Sequence, residues 1–226
     1  LFRSISANTQ VHYYKVFHHC LNSAVIDEII TSNPMDKIKN EEKPKRRRTE
    51  RAFLTIDELK LLSQTDFHNA TLKKAFLFSC FCGLRHSDIV ALTWGNLKKG
   101  KVGKMELHMT QQKTQEILSL PLSKEALKQL PVRGKVPDTE KVFKGLISLG
   151  RTNEILPKWA AKAGIQKHIT FHSARHTHAT MMITLGADLY TVSKLLGHTN
   201  IQTTQIYAKI VDESKEKAID LIPDIT

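Results

Sequence analysis

The stretch "HSARHTHATMMITLGADLYTVSKLLGHTNIQTTQIY", residues 172–207, holds four histidines, one arginine and a tyrosine at its end. It reads as two helices, with Gly186 and Gly197 marking their ends. His172 and Arg175 are three apart, so on a helix they share one face. After Gly197 a turn begins at His198, and Asn200 is placed to cap a further helix running towards Tyr207. Taken singly, His198 reads as a turn residue and Tyr207 as a half-buried aromatic. His172 and His176, at i and i+4, raise a metal reading. That reading lacks a third ligand and the Glu of an H-E-x-x-H site, and Arg175 between the two would repel a cation. The expectation is no metal and no cofactor.

Working back along the chain, "TNEILPKWAAKAG" and "KEALKQL" (capped by Ser123) read as helices, with Gly164 closing the former. Before them "GKMELHM" and "QEILSLPL" alternate as two strands with "TQQKT" turning between them, which puts Lys113 at a hairpin tip. "LTIDELKLLSQ" opens with a capping box, Thr55 with Glu58. "NATLKKAFLFSCFCG" is a mostly buried helix closed by Gly83, and "SDIVALTW" follows with Ser87 as its cap. Arg85 falls between that glycine and the helix start, where free N–H groups often face a ligand. Cys80 and Cys82 sit in an apolar run with no second pair to complete a zinc site, so they read as small core residues. With Cys20 they make three cysteines, an odd number without framework spacing, which points to a reducing compartment.

From Thr9 to Ile30 the apolar residues recur at helical spacing until Asn33-Pro34 stops them. Next comes "NEEKPKRRRTERAF", where Lys43, Lys45, Arg46, Arg47, Arg48 and Arg51 make a basic stretch without apolar periodicity, read as a linker suited to a phosphate backbone. The chain starts at Leu1 without Met and reads as entered midway. The fold class expected is α+β and mainly α-helical: a compact helical domain with a small antiparallel hairpin, preceded by a helical fragment. In 226 residues, Lys plus Arg number 34 against 22 Asp plus Glu, a net charge of +12, which favours a polyanionic partner, nucleic acid first. No apolar run approaches the roughly 20 residues needed to span a bilayer, so no membrane partner is expected.

Two arginines with planar forks, imidazole donors, a lysine and a tyrosine are the set phosphoryl transfer asks for: charge neutralisation, a proton donor for the leaving group, and a nucleophile. In order and spacing, "GLRHSDIVALTW", "QQKTQEILSLPLS" and the stretch quoted first resemble the tyrosine recombinases of the phage-integrase family. His198 follows Arg175 by 23 residues and precedes Tyr207 by 9. The resemblance implies residues 1–43 as the end of a helical core-binding domain, 44–52 as a basic interdomain linker and 53–226 as the catalytic domain. It implies that Arg85 and Arg175 clamp the scissile phosphate and Lys113 acts as general acid on the 5′ oxygen. His172 and His198 donate hydrogen bonds and assist proton movement, Tyr207 attacks phosphorus and Asp88 supports the first arginine. His176 is then packing around these groups.

The implied reaction is strand cleavage and rejoining through a 3′-phosphotyrosyl bond, without ATP or metal. The implied partners are double-stranded DNA carrying a specific recombination site and a homotetramer on it. The C-terminal segment "VDESKEKAIDLIPDIT" would dock on a neighbouring protomer, and an accessory DNA-bending protein is a further candidate. The expected location is the cytoplasm, at the nucleoid when bound to DNA, and the expected role is integration or excision of a mobile element. Competing readings are an Xer-like resolvase or invertase, a type IB topoisomerase, a non-catalytic DNA-binding module of the same fold, and a metal-dependent nuclease resting on the histidines.

Overall fold

The computed structural model describes residues 5–47, 51–100 and 103–207. Chain contacts divide it after Glu50 into two units.

In the first unit, helix α1 (Ala7–Ile26) starts at Ser6, whose Oγ accepts the Thr9 N–H at 3.2 Å. The helix ends short of the Ile30 expected from periodicity, because Glu28 adopts a left-handed φ of 58°. Asn33 accepts the Met35 N–H at 2.9 Å and starts a 3₁₀ turn over Pro34–Lys37, while its amide donates to the His18 carbonyl at 3.1 Å. Asn8 pairs through its side-chain amide with the backbone N–H and C=O of Arg47, each at 3.0 Å, fixing the end of the described segment to the start of α1.

In the second unit, α2 (Ile56–Gln64) begins with the expected capping box. Helix α3 (Ala70–Cys82) ends at Gly83, whose φ of 72° only glycine takes without strain. Helix α4 (His86–Ala91) starts one residue before the cap read from the sequence. Arg85, not Ser87, is the boundary residue, because the Asp88 carboxylate reaches back to accept the Arg85 N–H at 3.2 Å.

Strands β1 (Leu97–Lys99), β2 (Met105–Thr110) and β3 (Ile117–Pro121) form an antiparallel sheet in that order, with Leu107 opposite both Leu97 and Leu120. Leu107, Met109, Leu118 and Leu120 are buried at the two-residue period of a half-buried sheet. Strand β1 was not expected from the sequence, since three residues are too few to display that period. The remaining helices are α5 (Lys124–Lys128), α6 (Leu149–Lys162), α7 (Phe171–Thr184) and α8 (Leu189–Leu196).

Helix α3 is nearly all buried and packs along α7, with Phe76, Phe78, Trp159 and Phe171 fully enclosed. Phe76 meets Phe171 edge to face at 5.8 Å, and Trp159 stacks on Phe67 at 4.6 Å. Each such side chain contributes about 1.5–3 kcal/mol through burial, and this core holds α7 still. Cys80 and Cys82 belong to it, as small buried residues. A second, smaller cluster joins Ala179 and Ile183 of α7, Val192 and Leu196 of α8, and Tyr207. Ahead of α2, the buried Leu54 donates its N–H to Thr177 Oγ1 at 2.9 Å, tying the segment that follows Arg51 to α7. Among the described residues no helix is long and apolar enough to cross a membrane.

Candidate active site

Arg175 is the centre of the arrangement. It is 3% exposed and donates through Nη1 to the Gly83 carbonyl at 2.8 Å and through Nη2 to the Leu196 carbonyl at 2.7 Å. Those are terminal carbonyls of α3 and α8, which lack helical donors and carry the negative end of the helix dipole. Both helices stop at left-handed glycines, Gly83 and Gly197, so their ends converge on one guanidinium. Burial, then the Arg85 charge, lower its pKa to about 10, which still leaves it cationic at neutral pH.

Arg85 approaches from the start of α4. Its Nη1 is buried without a hydrogen-bond partner among the described residues and stands 3.8 Å from the Asp88 carboxylate. A buried orphan donor on a cation is costly unless something accepts from it. An oxygen of an anionic substrate would do so. Asp88 is fully buried; besides the Arg85 N–H it accepts the Gln112 N–H at 2.8 Å.

Lys113 is exposed in the turn between β2 and β3, as the hairpin reading expected. The turn is closed by Gln111 N–H to the Glu116 carbonyl at 2.9 Å. It is held from beneath by the buried Gln111 side chain, which donates to the Leu196 carbonyl at 3.2 Å and accepts from Thr114 at 2.9 Å.

His172 lies at the exposed start of α7, where burial of its ring and then the charges of Arg175, Arg51, Arg85 and Lys113 lower its pKa to about 4. His198 follows Gly197, and its Nδ1 lies 2.8 Å from Thr204 Oγ1. Burial first, then Arg175, Arg85 and Arg51, bring it to about 4. Both rings are therefore neutral at pH 7. The tautomer in which Nδ1 of His198 accepts from the Thr204 hydroxyl carries the ring proton on Nε2.

The helix expected from Asn200 to Tyr207 is instead two 3₁₀ turns, Ile201–Thr203 and Gln205–Tyr207. Asn200 does cap the first, accepting the Gln202 N–H at 2.8 Å. The break falls at Thr204, which is buried and spends its hydroxyl on His198. Tyr207 is 6% exposed, and burial raises its pKa to about 12 against the opposing charges of Arg175 and Arg51. Its hydroxyl lies 2.6 Å from Nδ1 of His176, a contact the sequence did not reveal.

The structure thus brings Arg85, His172, Arg175 and His198 within range of one another's charge, with Lys113 acting on His172 and Arg175 on Tyr207, although these residues lie up to 122 positions apart in the chain (207 − 85). Arg51, read as a linker cation, also acts on His172, His176, His198 and Tyr207. Lys45, Arg46 and Arg47 are exposed and Lys43 partly so, in the first unit. Arg48 and the segment "VDESKEKAIDLIPDIT" lie outside the described residues. No composition or spacing signal pointed to Gln111 or Thr204. For His176 the only signal was its place directly after Arg175.

The family model described as Phage integrase family matches residues 52–214. A tyrosine recombinase of Pseudothermotoga lettingae is 30% identical over 203 residues, covering 88% of this chain and 69% of that protein. Tyrosine recombinase XerC of Caldanaerobacter subterraneus is 31% identical over 208 residues, covering 87% and 57%. Among solved structures, the Tn1549 transposon integrase in complex with circular intermediate DNA superposes with a TM-score of 0.69 at 18% identity, covering 91% of this chain and 76% of that one. A lambda integrase dimer bound to a core site gives 0.66 at 18% identity, covering 91% and 80%. At that identity the structures speak for a shared fold.

Proposed function

The chain belongs to the phage integrase family and to its tyrosine recombinase enzymes, and from that premise we propose that it cleaves and rejoins DNA at a specific site through a 3′-phosphotyrosyl intermediate. The observation that supports the chemistry is the convergence of Arg85, Arg175 and two neutral imidazoles, with Tyr207 within reach of the Arg175 charge.

Arg175, already fixed by two helix ends, and Arg85, with its orphan Nη1, hold the non-bridging oxygens of the scissile phosphate. His198 Nε2–H and His172 add hydrogen bonds. Tyr207 attacks phosphorus, and Lys113 protonates the departing 5′ oxygen. The 5′ hydroxyl of a partner strand then reverses the step. One phosphodiester-type bond replaces another, so no ATP is needed, and fixed cations take the place a divalent metal has in other phosphoryl-transfer sites. Removal of Tyr207 from water keeps it a neutral phenol, against the opposing charges of Arg175 and Arg51.

The same reading makes residues 1–43 the end of a core-binding domain, 44–52 a basic linker and 53–226 the catalytic domain, with Lys43, Lys45, Arg46, Arg47, Arg48 and Arg51 following the DNA backbone. Active units are four protomers on a junction, each tail docked on a neighbour. Integration or excision of a mobile element is the role favoured by the residue pattern; resolution of the Xer type is the second reading, favoured by the XerC relative.

The test uses duplexes selected from a random pool for binding, then nicked so that a short strand is lost after cleavage. Wild type should accumulate a covalent protein–DNA adduct in the presence of EDTA. Tyr207→Phe should form none while binding within about threefold of wild type. Adducts from the Phe variant, or loss of cleavage on chelation, would overturn the assignment.

A further inference from the structure

We infer that His176 is the proton acceptor for Tyr207, taking the phenolic proton on Nδ1 as the phenol oxygen bonds to phosphorus. This inference rests on the recombinase reading and adds a residue to it.

The geometry is direct. Tyr207 Oη and His176 Nδ1 are 2.6 Å apart, with both residues buried, at 6% and 4% exposure. The phenol is placed by its ring in the cluster between α7 and α8 and by its N–H bonding the Thr204 carbonyl at 3.0 Å. The imidazole is placed by α7 and by the edge-to-face ring of His172, centroids 4.7 Å apart. The other two imidazoles of the site are not placed for this task. Nδ1 of His198 is engaged by Thr204, and His172 makes no hydrogen bond to Tyr207 among the described residues.

The charged and titratable groups around His176 are His172 and Arg175 on its own helix, Arg51 ahead of α2, and His198 after α8. Burial, and then these neighbours, bring its pKa to about 3, so at neutral pH the ring is uncharged, and in its Nε2–H tautomer Nδ1 accepts. A phosphodiester anion entering among the arginines offsets the charges that depress it, so its basicity rises when substrate is present.

In the forward step the Tyr207 O–H bond breaks and its proton moves to Nδ1. The Oη–P bond forms, the P–O5′ bond breaks, and O5′ takes a proton from Lys113. Religation returns both protons.

The test measures single-turnover adduct formation from pH 6 to 9 on the nicked duplex. His176→Asn keeps a hydrogen-bonding atom at the δ position without proton affinity. His176→Ala opens space that added imidazole can enter. Wild type should be nearly flat with pH. The Asn variant should run about 10²-fold slower at pH 7, the lower end of a general-base contribution, and rise about tenfold per pH unit as hydroxide takes over the proton. Imidazole should accelerate the Ala variant at least tenfold. An Asn rate within threefold of wild type, a slow Asn rate with a flat profile, or no imidazole rescue of Ala each overturns the inference. Should the Asn variant fail to fold, rescue of the Ala variant decides alone. Wild type that forms no adduct overturns the recombinase reading and this inference together; wild-type adducts with unaffected variants overturn this inference only.

Discussion

The buried carboxylate of Asp88 accepts the Arg85 N–H at 3.2 Å and the Gln112 N–H at 2.8 Å, so one side chain joins the start of α4 to the turn that carries Lys113. Arg85 and Lys113, the proposed clamp for the phosphate and the proposed donor for the leaving group, are thereby tied together through one buried side chain.

Replacing Asp88 by Ala should leave two backbone donors and the Arg85 charge without their acceptor. The expected loss of stability is about 2–4 kcal/mol, read from urea midpoints. Asp88→Asn keeps an acceptor but no charge, and should lose roughly half as much. Equal midpoints for Asp88→Ala and wild type would show that the carboxylate does not hold this joint.

Gln111 makes the matching tie on the other side, from the same turn to the Leu196 carbonyl that Arg175 also uses. Gln111→Ala should cost about 1–3 kcal/mol, as expected when a buried polar partner is removed. Adduct formation should fall more than binding does, because Lys113 and His198 lose their common support. Proportional losses in both would argue for a general weakening instead.

Gly83 tolerates no side chain. A Cβ there would lie 2.8 Å from Leu196 Cδ2 and 2.9 Å from the His178 ring, at a φ of 72°. Gly83→Ala should therefore cost about 2–4 kcal/mol from backbone strain and overpacking together. It should also reduce cleavage, since the Gly83 carbonyl holds Arg175. A calorimetric transition unchanged from wild type would contradict this.

His178 sets an acid limit on the fold. It is 4% exposed, neither ring nitrogen has a side-chain partner among the described residues, and burial lowers its pKa to about 4. Its pKa when unfolded is near 6.5, so the unfolded chain takes up a proton that the folded chain refuses. The stabilisation is complete above pH 6.5 and is lost as pH falls towards 4. Between pH 7 and pH 5 the loss from this residue is roughly 2 kcal/mol. Urea midpoints at the two pH values should show it, and His178→Phe should shrink the difference. An undiminished difference in that variant would assign the acid sensitivity to other groups.

Much of the fold was legible in local chemistry. Thr55 with Glu58, Ser123, Gly83, Gly186 and Gly197 declare helix ends because caps and left-handed turns are satisfied within a few residues. The alternation in Met105–Thr110 and Ile117–Pro121 declares a half-buried hairpin for the same reason. The boundaries that were misread depend on something further away. Ser87 lost its capping position to Arg85 because Asp88, held by the turn at Gln112, reached back. The helix expected to end at Tyr207 broke at Thr204 because His198 engaged its hydroxyl.

The sequence by itself determined which side chains are available: two arginines, a lysine, imidazoles and a tyrosine at fixed intervals. It could not determine which of them touch. That a guanidinium is coordinated by the ends of α3 and α8, that Arg51 acts on the site and not only on the linker, and that Tyr207 rests on His176 were decided by the packing of α7 against α3 and α8. The reason is physical: helix caps and strand periodicity are satisfied over a few residues, whereas burial and charge act through space, between positions that only the folded core brings together.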